Sequence, residues 1–298
     1  MRLDVLVLVP FQPSTATLLD GPVRRTSVAR INLPILEARF ALEGALGREL
    51  VPQGEAWTGT ATRVGAARQA HRSASAIALA SALEAAGLRW RAIDPGAVDL
   101  ASWRKALVEA RGDDPHAVAL CTTFVMSEPW LRLLCGLVRS ILPRAALLIG
   151  GYYYASNARG FLSLDADVLC VGEGEERFPR IVRAVRDGES LDSIPGLYLR
   201  EPGGLRYTGQ AEPLDLETLP LPDWRLAARI EPPVDVARDA MVYAVETQRG
   251  CVFKCEYCTY RTLAELKMAS PARAVGRILE AVPPGAAPAS QVDVVDAT

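Results

Sequence analysis

The chain opens on Leu3-Asp4-Val5-Leu6-Val7-Leu8-Val9, a nearly unbroken apolar run closed by Pro10. A strand with one wet face would alternate apolar and polar, so a continuous run predicts a strand covered on both faces. Residues 11–72 follow without strong strand character; 34–50 has helical spacing in Leu42, Leu46 and Leu50, weakened by Gly44 and Gly47. From Ser73 the texture becomes regular. Helices are predicted over 73–86, 102–110, 128–142 and 175–186, with Gly87 and Pro143 as stops. Between them 88–93, 117–122, 145–149 and 167–171 read as strands. Strands alternating with helices predict an α/β fold, a Rossmann-like five-stranded parallel sheet with right-handed crossovers.

After Gly188 the pattern changes. Residues 196–208 read as a β-hairpin turning at Pro202-Gly203-Gly204, and 214–233 is proline-rich. Leu219 and Trp224 within that stretch are too apolar to be merely solvated, so it reads as a tether packed between domains. A strand is predicted from Met241, a helix from Ser270 with Pro271 in its first turn, and a further strand over 291–296. The organisation expected is a first domain over 1–190 (11–72 being a long insertion), a hairpin and linker over 191–240, and the start of a second domain over 241–298.

With 298 residues the chain is long enough for two domains or one large one. Half its residues are apolar and its formal charge is −2, which fits neither a basic nucleic-acid binder nor a disordered acidic protein. The first residues lead straight into a strand, without the h-region of a signal peptide or the length of a membrane span. The cytoplasm is the expected compartment, and its reducing conditions suit free thiolates.

The chemistry concentrates in Arg249-Gly250-Cys251-Val252-Phe253-Lys254-Cys255-Glu256-Tyr257-Cys258. Three of the chain's six cysteines fall here with the spacing C-x3-C-x2-C. Thiolates are preferred ligands of iron–sulfur clusters, and three of them on a four-iron cubane leave one iron open. Zinc asks for a fourth protein ligand and a second C-x2-C hook, which the sequence does not offer. Unligated core cysteines are the remaining reading. Cys121 and Cys170, in strand-like runs, and Cys135, in a helical stripe, read as small buried hydrophobes.

Open parallel sheets bind ligands at the carboxyl ends of their strands, beside the point where strand order reverses. In a 2-1-3-4-5 order the loops after Val9 and Thr122 flank that point, with Gly150-Gly151 and Gly172 beyond. Glycine there lets backbone approach a bulky ligand. Gly172-Glu173-Gly174-Glu175-Glu176 has a second reading, as a helix start favoured by carboxylates.

The cysteine spacing and its surroundings resemble the radical SAM enzymes. The resemblance implies that Cys251, Cys255 and Cys258 hold a [4Fe–4S] cluster whose open iron chelates S-adenosylmethionine, with Tyr257 on the adenine side. The N-terminal half resembles the cobalamin-binding domain that precedes the radical SAM domain in one branch of that superfamily. The matching pieces are Ile149-Gly150-Gly151, the run 167–176 containing Gly172-Glu173-Gly174, and Thr122-Thr123-Phe124. What this implies is a cobalamin-dependent radical SAM enzyme, methyltransferase-like, acting on an unactivated centre through a 5′-deoxyadenosyl radical and methylcobalamin. Its partners would be a small-molecule or peptide natural-product substrate and a one-electron donor such as flavodoxin or ferredoxin, with no nucleic acid. The family's Asp-x-His-x-x-Gly cobalt-ligand motif has one near match, at Asp114-Pro115-His116, in the wrong place and without the glycine. His71 is the other histidine, and a corrinoid without a histidine below cobalt is the expectation. Alternatives are a radical SAM enzyme that uses no cobalamin, a non-catalytic corrinoid-binding module and a zinc-binding regulator. The second domain reads as cut short after its second barrel strand, so that turnover by this chain alone is not expected.

Overall fold

The computed structural model describes residues 2–10, 62–64, 67–70, 73–94, 100–123, 128–151, 158–250, 267–286 and 290–294. The helical spacing over 34–50, His71, Phe124, the three motif cysteines and Tyr257 lie outside them.

Strand β1 (Val5–Leu8) is followed by the short β2 (Thr62–Val64) and β3 (Ala67–Ala70), then by helix α1 (Ala74–Ala85). Next come β4 (Trp90–Ile93), α2 (Leu100–Ala110), β5 (Ala117–Cys121), α3 (Glu128–Ile141) and β6 (Ala146–Gly150). A single turn, α4 (Ala158–Phe161), leads to β7 (Val168–Cys170), α5 (Arg177–Asp187) and the hairpin of β8 (Leu197–Glu201) and β9 (Gly204–Tyr207). The chain then makes a 3-10 segment, Trp224–Arg229, before β10 (Ala240–Val245), β11 (Gln248–Arg249), β12 (Lys267–Met268), α6 (Pro271–Ala281) and β13 (Gln291–Val294).

The main sheet has seven strands in the order β4-β1-β5-β6-β7-β8-β9. The first five are parallel, in the order 2-1-3-4-5 by their rank in that set. The sheet is larger than the five strands expected because the hairpin read as linker joins it: β8 runs antiparallel to β7, pairing Val168 with Leu199. Helices cover both faces. Val5 and Val7 point into a core shared with α1, α5 and the tether, while Leu6 and Leu8 point into a second one with α2 and α3. That is why the run 3–9 carries no polar alternation.

The tether is fixed along its length. Asp223 N–H donates to Ser81 Oγ at 2.7 Å on α1, and Trp224, 2% exposed, meets Tyr243 of β10 edge-on at 5.5 Å. Farther on, Glu231 bridges to Ile93 of β4 and binds Arg91 through both carboxylate oxygens, at 2.6 and 2.9 Å. The tether therefore lies against the edge strand β4, as well as against α1.

A second sheet has the order β13-β10-β3-β2. Strand β10 pairs in parallel with β13 on one side and with β3 on the other. The segment read as lacking strands thus supplies the second neighbour of β10. Ser270 caps α6 by accepting from Arg273 N–H at 3.2 Å, and Pro271 occupies the first turn, as the sequence predicts.

Candidate functional site

A cavity of about 290 Å³ opens at the carboxyl ends of β5, β6 and β7, between that edge of the main sheet and the end of β10. Its floor is Ala119, Cys121, Leu148, Gly150 and Cys170, successive positions on one face of three parallel strands. The amino-terminal turn of α1 and residues Arg177, Phe178 and Ile181 of α5 form its sides, and Leu221, Pro222 and Trp224 of the tether close it. Val245, Glu246 and Arg249 make the far wall with Arg277 of α6. Among the described residues the main-sheet part of the lining comes from β5, β6 and β7 and includes none of β1; the loop after Val9, expected to flank the site, lies largely outside the described residues.

Six of the seven first-domain positions singled out from sequence line this cavity: Thr123, Gly150, Gly151, Gly172, Glu173 and Gly174. Thr122 does not. It is fully buried, and its N–H and Oγ1 both donate to Gly150 O, at 2.7 and 2.8 Å, which fixes where β6 ends. Two of the glycines differ in what they do. Gly151 has φ +115°, and a Cβ there would fall 2.6 Å from Thr123 N, so its backbone crosses the Thr122–Thr123 peptide too closely for any side chain. A Cβ on Gly150 would meet only Cys170 Cβ at 3.8 Å, so its missing side chain is space in the cavity.

Of the three cysteines outside the motif, Cys121 and Cys135 are buried as predicted, whereas Cys170 is half-buried on the cavity floor. Cys135 is buried on the inner face of α3, and burial pushes its thiol up to about 12; Cys170 is likewise pushed up to about 12, and Cys121 is raised by burial against a weaker hydrogen bond with Thr123. Such thiols stay protonated and make poor ligands. Ser75 and Cys121 both lie 3.5 Å from Thr123 Oγ1, a small hydroxyl group at one end of an otherwise apolar wall. His116 precedes β5, at the opposite end of that strand from the cavity, and burial lowers its affinity for a proton. Among the described residues no group of three or more His, Cys, Asp or Glu side chains is arranged to hold a metal.

The Gly-Glu-Gly-Glu segment is where sequence reading fell short. Helix α5 begins at Arg177, and Glu176 before it makes no side-chain cap. Glu173 and Glu175 turn to Arg249 instead. Arg249 Nη1 donates to Glu173 Oε1 at 3.1 Å, and Nη2 to Glu175 Oε1 at 2.5 Å and to Glu246 Oε2 at 2.6 Å. Burial alone would weaken the charge on this guanidinium, but Glu175 and Glu246 outweigh it and hold the proton more firmly than in an ordinary arginine. The other oxygen of Glu173 accepts from Leu214 N–H at 2.6 Å, so the same carboxylate also anchors the start of the tether.

Two more arginines complete the wall, Arg277 buried and Arg177 half-buried. Arg277, 1% exposed, donates to Glu246 O at 2.8 Å and Leu219 O at 3.1 Å, tying α6 to β10 and the tether. Arg177 donates to Pro195 O at 3.2 Å and to Glu173 O, and burial lowers its proton affinity. The signal that could have found this network was Arg249 itself, a charge set between an apolar strand and the first cysteine.

No protein-family model matches the chain, and no curated protein sequence matches it. Solved structures do. The radical S-adenosylmethionine methyltransferase TsrM from Kitasatospora setae, with tryptophan and a SAM analogue bound, superposes with a TM-score of 0.56 at 14% identity. The match covers 99% of this chain and 48% of that one. The cobalamin-dependent S-adenosylmethionine radical enzyme OxsB, with aqua-cobalamin and S-adenosylmethionine bound, gives a TM-score of 0.56 at 14% identity over 99% of this chain and 34% of its own. At such identity the likeness is one of fold, and this chain spans about half or a third of the length of those proteins.

Proposed function

We propose that this chain carries the corrinoid-binding and cluster-binding parts of a cobalamin-dependent radical SAM enzyme, methyl-transferring in type. One observation carries the reading: the ion-paired Arg249, which precedes Cys251 by two positions in the sequence, lines the glycine-bearing cavity at the ends of the parallel strands. A corrinoid and a cluster must lie close to act on one substrate, and an arginine fixed beside the cavity just before the first cysteine would serve that end. The similar folds of TsrM and OxsB, proteins described with these cofactors, support it.

The residues fit the groups. Gly150 leaves backbone bare on the cavity floor, which is what close approach of a bulky ligand needs, while Gly172 and Gly174 line the wall against Arg177 and Leu79. The cavity is of small-ligand size and would hold part of a corrinoid. Leu79, Leu148, Phe178 and Ile181 exclude water from it. Cys251, Cys255 and Cys258 would hold the [4Fe–4S] cluster, with Tyr257 beside S-adenosylmethionine. Together the bound groups supply one-electron cleavage of a sulfonium and transfer of a methyl group. Because His116 is at the far end of β5, a corrinoid here has no ligand from it.

The test is iron, sulfide and cobalt per chain after anaerobic purification and reconstitution with hydroxocobalamin present. Cys255→Ala is expected to abolish the absorbance of the cluster, and Cys135→Ala, on the buried face of α3, to leave it intact. Equal loss from both, or zinc in place of iron, overturns the cluster assignment. Iron and sulfide without cobalt would leave a radical SAM protein that uses no corrinoid.

A further inference from the structure

Arg249 has three carboxylate partners drawn from two distant parts of the chain. Glu173 and Glu175 belong to the loop after β7, and Glu246 follows β10. Only 12% of the arginine side chain is exposed, with 20% of Glu173 and 18% of Glu175. Charges so far from water persist only when paired and hydrogen-bonded, so the loop and the arginine order one another. The loop is also cavity wall: Gly172, Glu173, Gly174 and Glu175 all line it.

On its other side Arg249 belongs to a two-stranded ladder. It pairs with Lys267, and Gln248 with Met268. The ladder therefore joins the two ends of the segment in which the three cysteines lie. A single line of contacts runs from the cavity wall through Glu173 and Glu175 to Arg249, and from Arg249 to the base of that segment. Resting on the function proposed above, we infer that Arg249 is a positioning residue that couples filling of the cavity to metal binding by the cysteine segment. A ligand packed on the glycine backbone holds Glu173 and Glu175 where Arg249 needs them. Linkage requires the reverse effect by the same factor. An arginine that only stapled the fold would lower stability and leave the two binding events independent.

The experiment uses the full chain and hydroxocobalamin as probe. Its dissociation constant is measured anaerobically on metal-free protein and on protein reconstituted with iron and sulfide. The reconstituted form is expected to bind about tenfold more tightly, within the usual range of such couplings. In Arg249→Met and in the near-isosteric Glu175→Gln that ratio should fall towards one. Arg249→Lys should restore part of it, since an ammonium supplies the charge but cannot span three carboxylates at once. Loss of iron uptake in both Arg249→Met and Glu175→Gln, with each still folded by circular dichroism, also counts for the proposal. A ratio of one in the unaltered protein overturns it, as does a large ratio that survives Arg249→Met. Those results, with cobalamin and cluster both bound, sink the coupling alone, whereas a chain that takes up neither removes the proposed function and this inference together.

Discussion

A Cβ on Gly150 has 3.8 Å of clearance, while one on Gly151 would overlap the Thr122–Thr123 backbone at 2.6 to 2.8 Å. The two neighbours should therefore fail differently. Gly150→Phe is expected to fill the cavity and weaken hydroxocobalamin binding tenfold or more, with little change in melting temperature. Gly151→Ala should cost about 1–3 kcal/mol of stability through backbone displacement and strain at positive φ. Thermal unfolding beside a binding titration separates them, and a melting temperature unchanged in Gly151→Ala would refute the packing account. Asp4 makes a prediction in pH. Burial pushes its carboxyl up, but Arg89, through hydrogen bonds at 2.8 and 2.9 Å and its charge, and then Arg186, hold it below 3.8. A depressed folded value means that Asp4 stabilises the fold above the unfolded pKa, and that this is lost as pH falls through the folded one. Between neutrality and pH values below 3.8 the urea midpoint should drop more steeply in the unaltered protein than in Asp4→Asn. At this scale the glycines were legible because their place at strand ends is a local pattern. The Arg249 network was not, since two of its three partners, Glu175 and Glu173, stand 74 and 76 positions away and leave no spacing to read.

Helix α6 shows how much an element owes to its ends. Ser270 accepts from Arg273 N–H, while its own hydroxyl donates to Glu217 Oε2 at 3.2 Å. Ser270→Ala is expected to cost about 0.5–2 kcal/mol, read as faster amide exchange confined to the first turns of α6. Exchange unchanged there would mean that tether contacts, not the cap, hold the helix. The cap and proline were visible in sequence, as were the alternating strands and helices, because both are signals within a few residues. Thr62-Arg63-Val64 and Ala67-Arg68-Gln69-Ala70 give no such signal. They are too short to alternate, and their hairpin is joined to the second sheet only through the distant β10. The hairpin of β8 and β9 was recognised as a hairpin, but its pairing with β7 is non-local and could not be.

For the molecule as a whole, the core on the α1 face does not stop at residue 190. Leu197 and Leu199 of β8, Trp224 and Ile230 of the tether, and Met241 and Tyr243 of β10 all belong to it. A fragment ending at 190 would leave β7 as a bare edge and strip apolar cover from the cavity, and such edges aggregate. Residues 1–190 are expected to form soluble aggregates on a sizing column, and 1–239, which restores β8, β9 and the tether on β4, to run as a single species. A monomeric 1–190 with the melting temperature of the longer fragment would contradict this. The parallel pairing of β3 with β10 carries a further consequence, in time rather than space. Gln69 pairs with Ala240, so a ribosome adding 5–20 residues per second leaves β3 without its partner for about 9–34 s. During that interval β3 has only β2 beside it, and the second sheet can form only after all seven strands of the main sheet have been made.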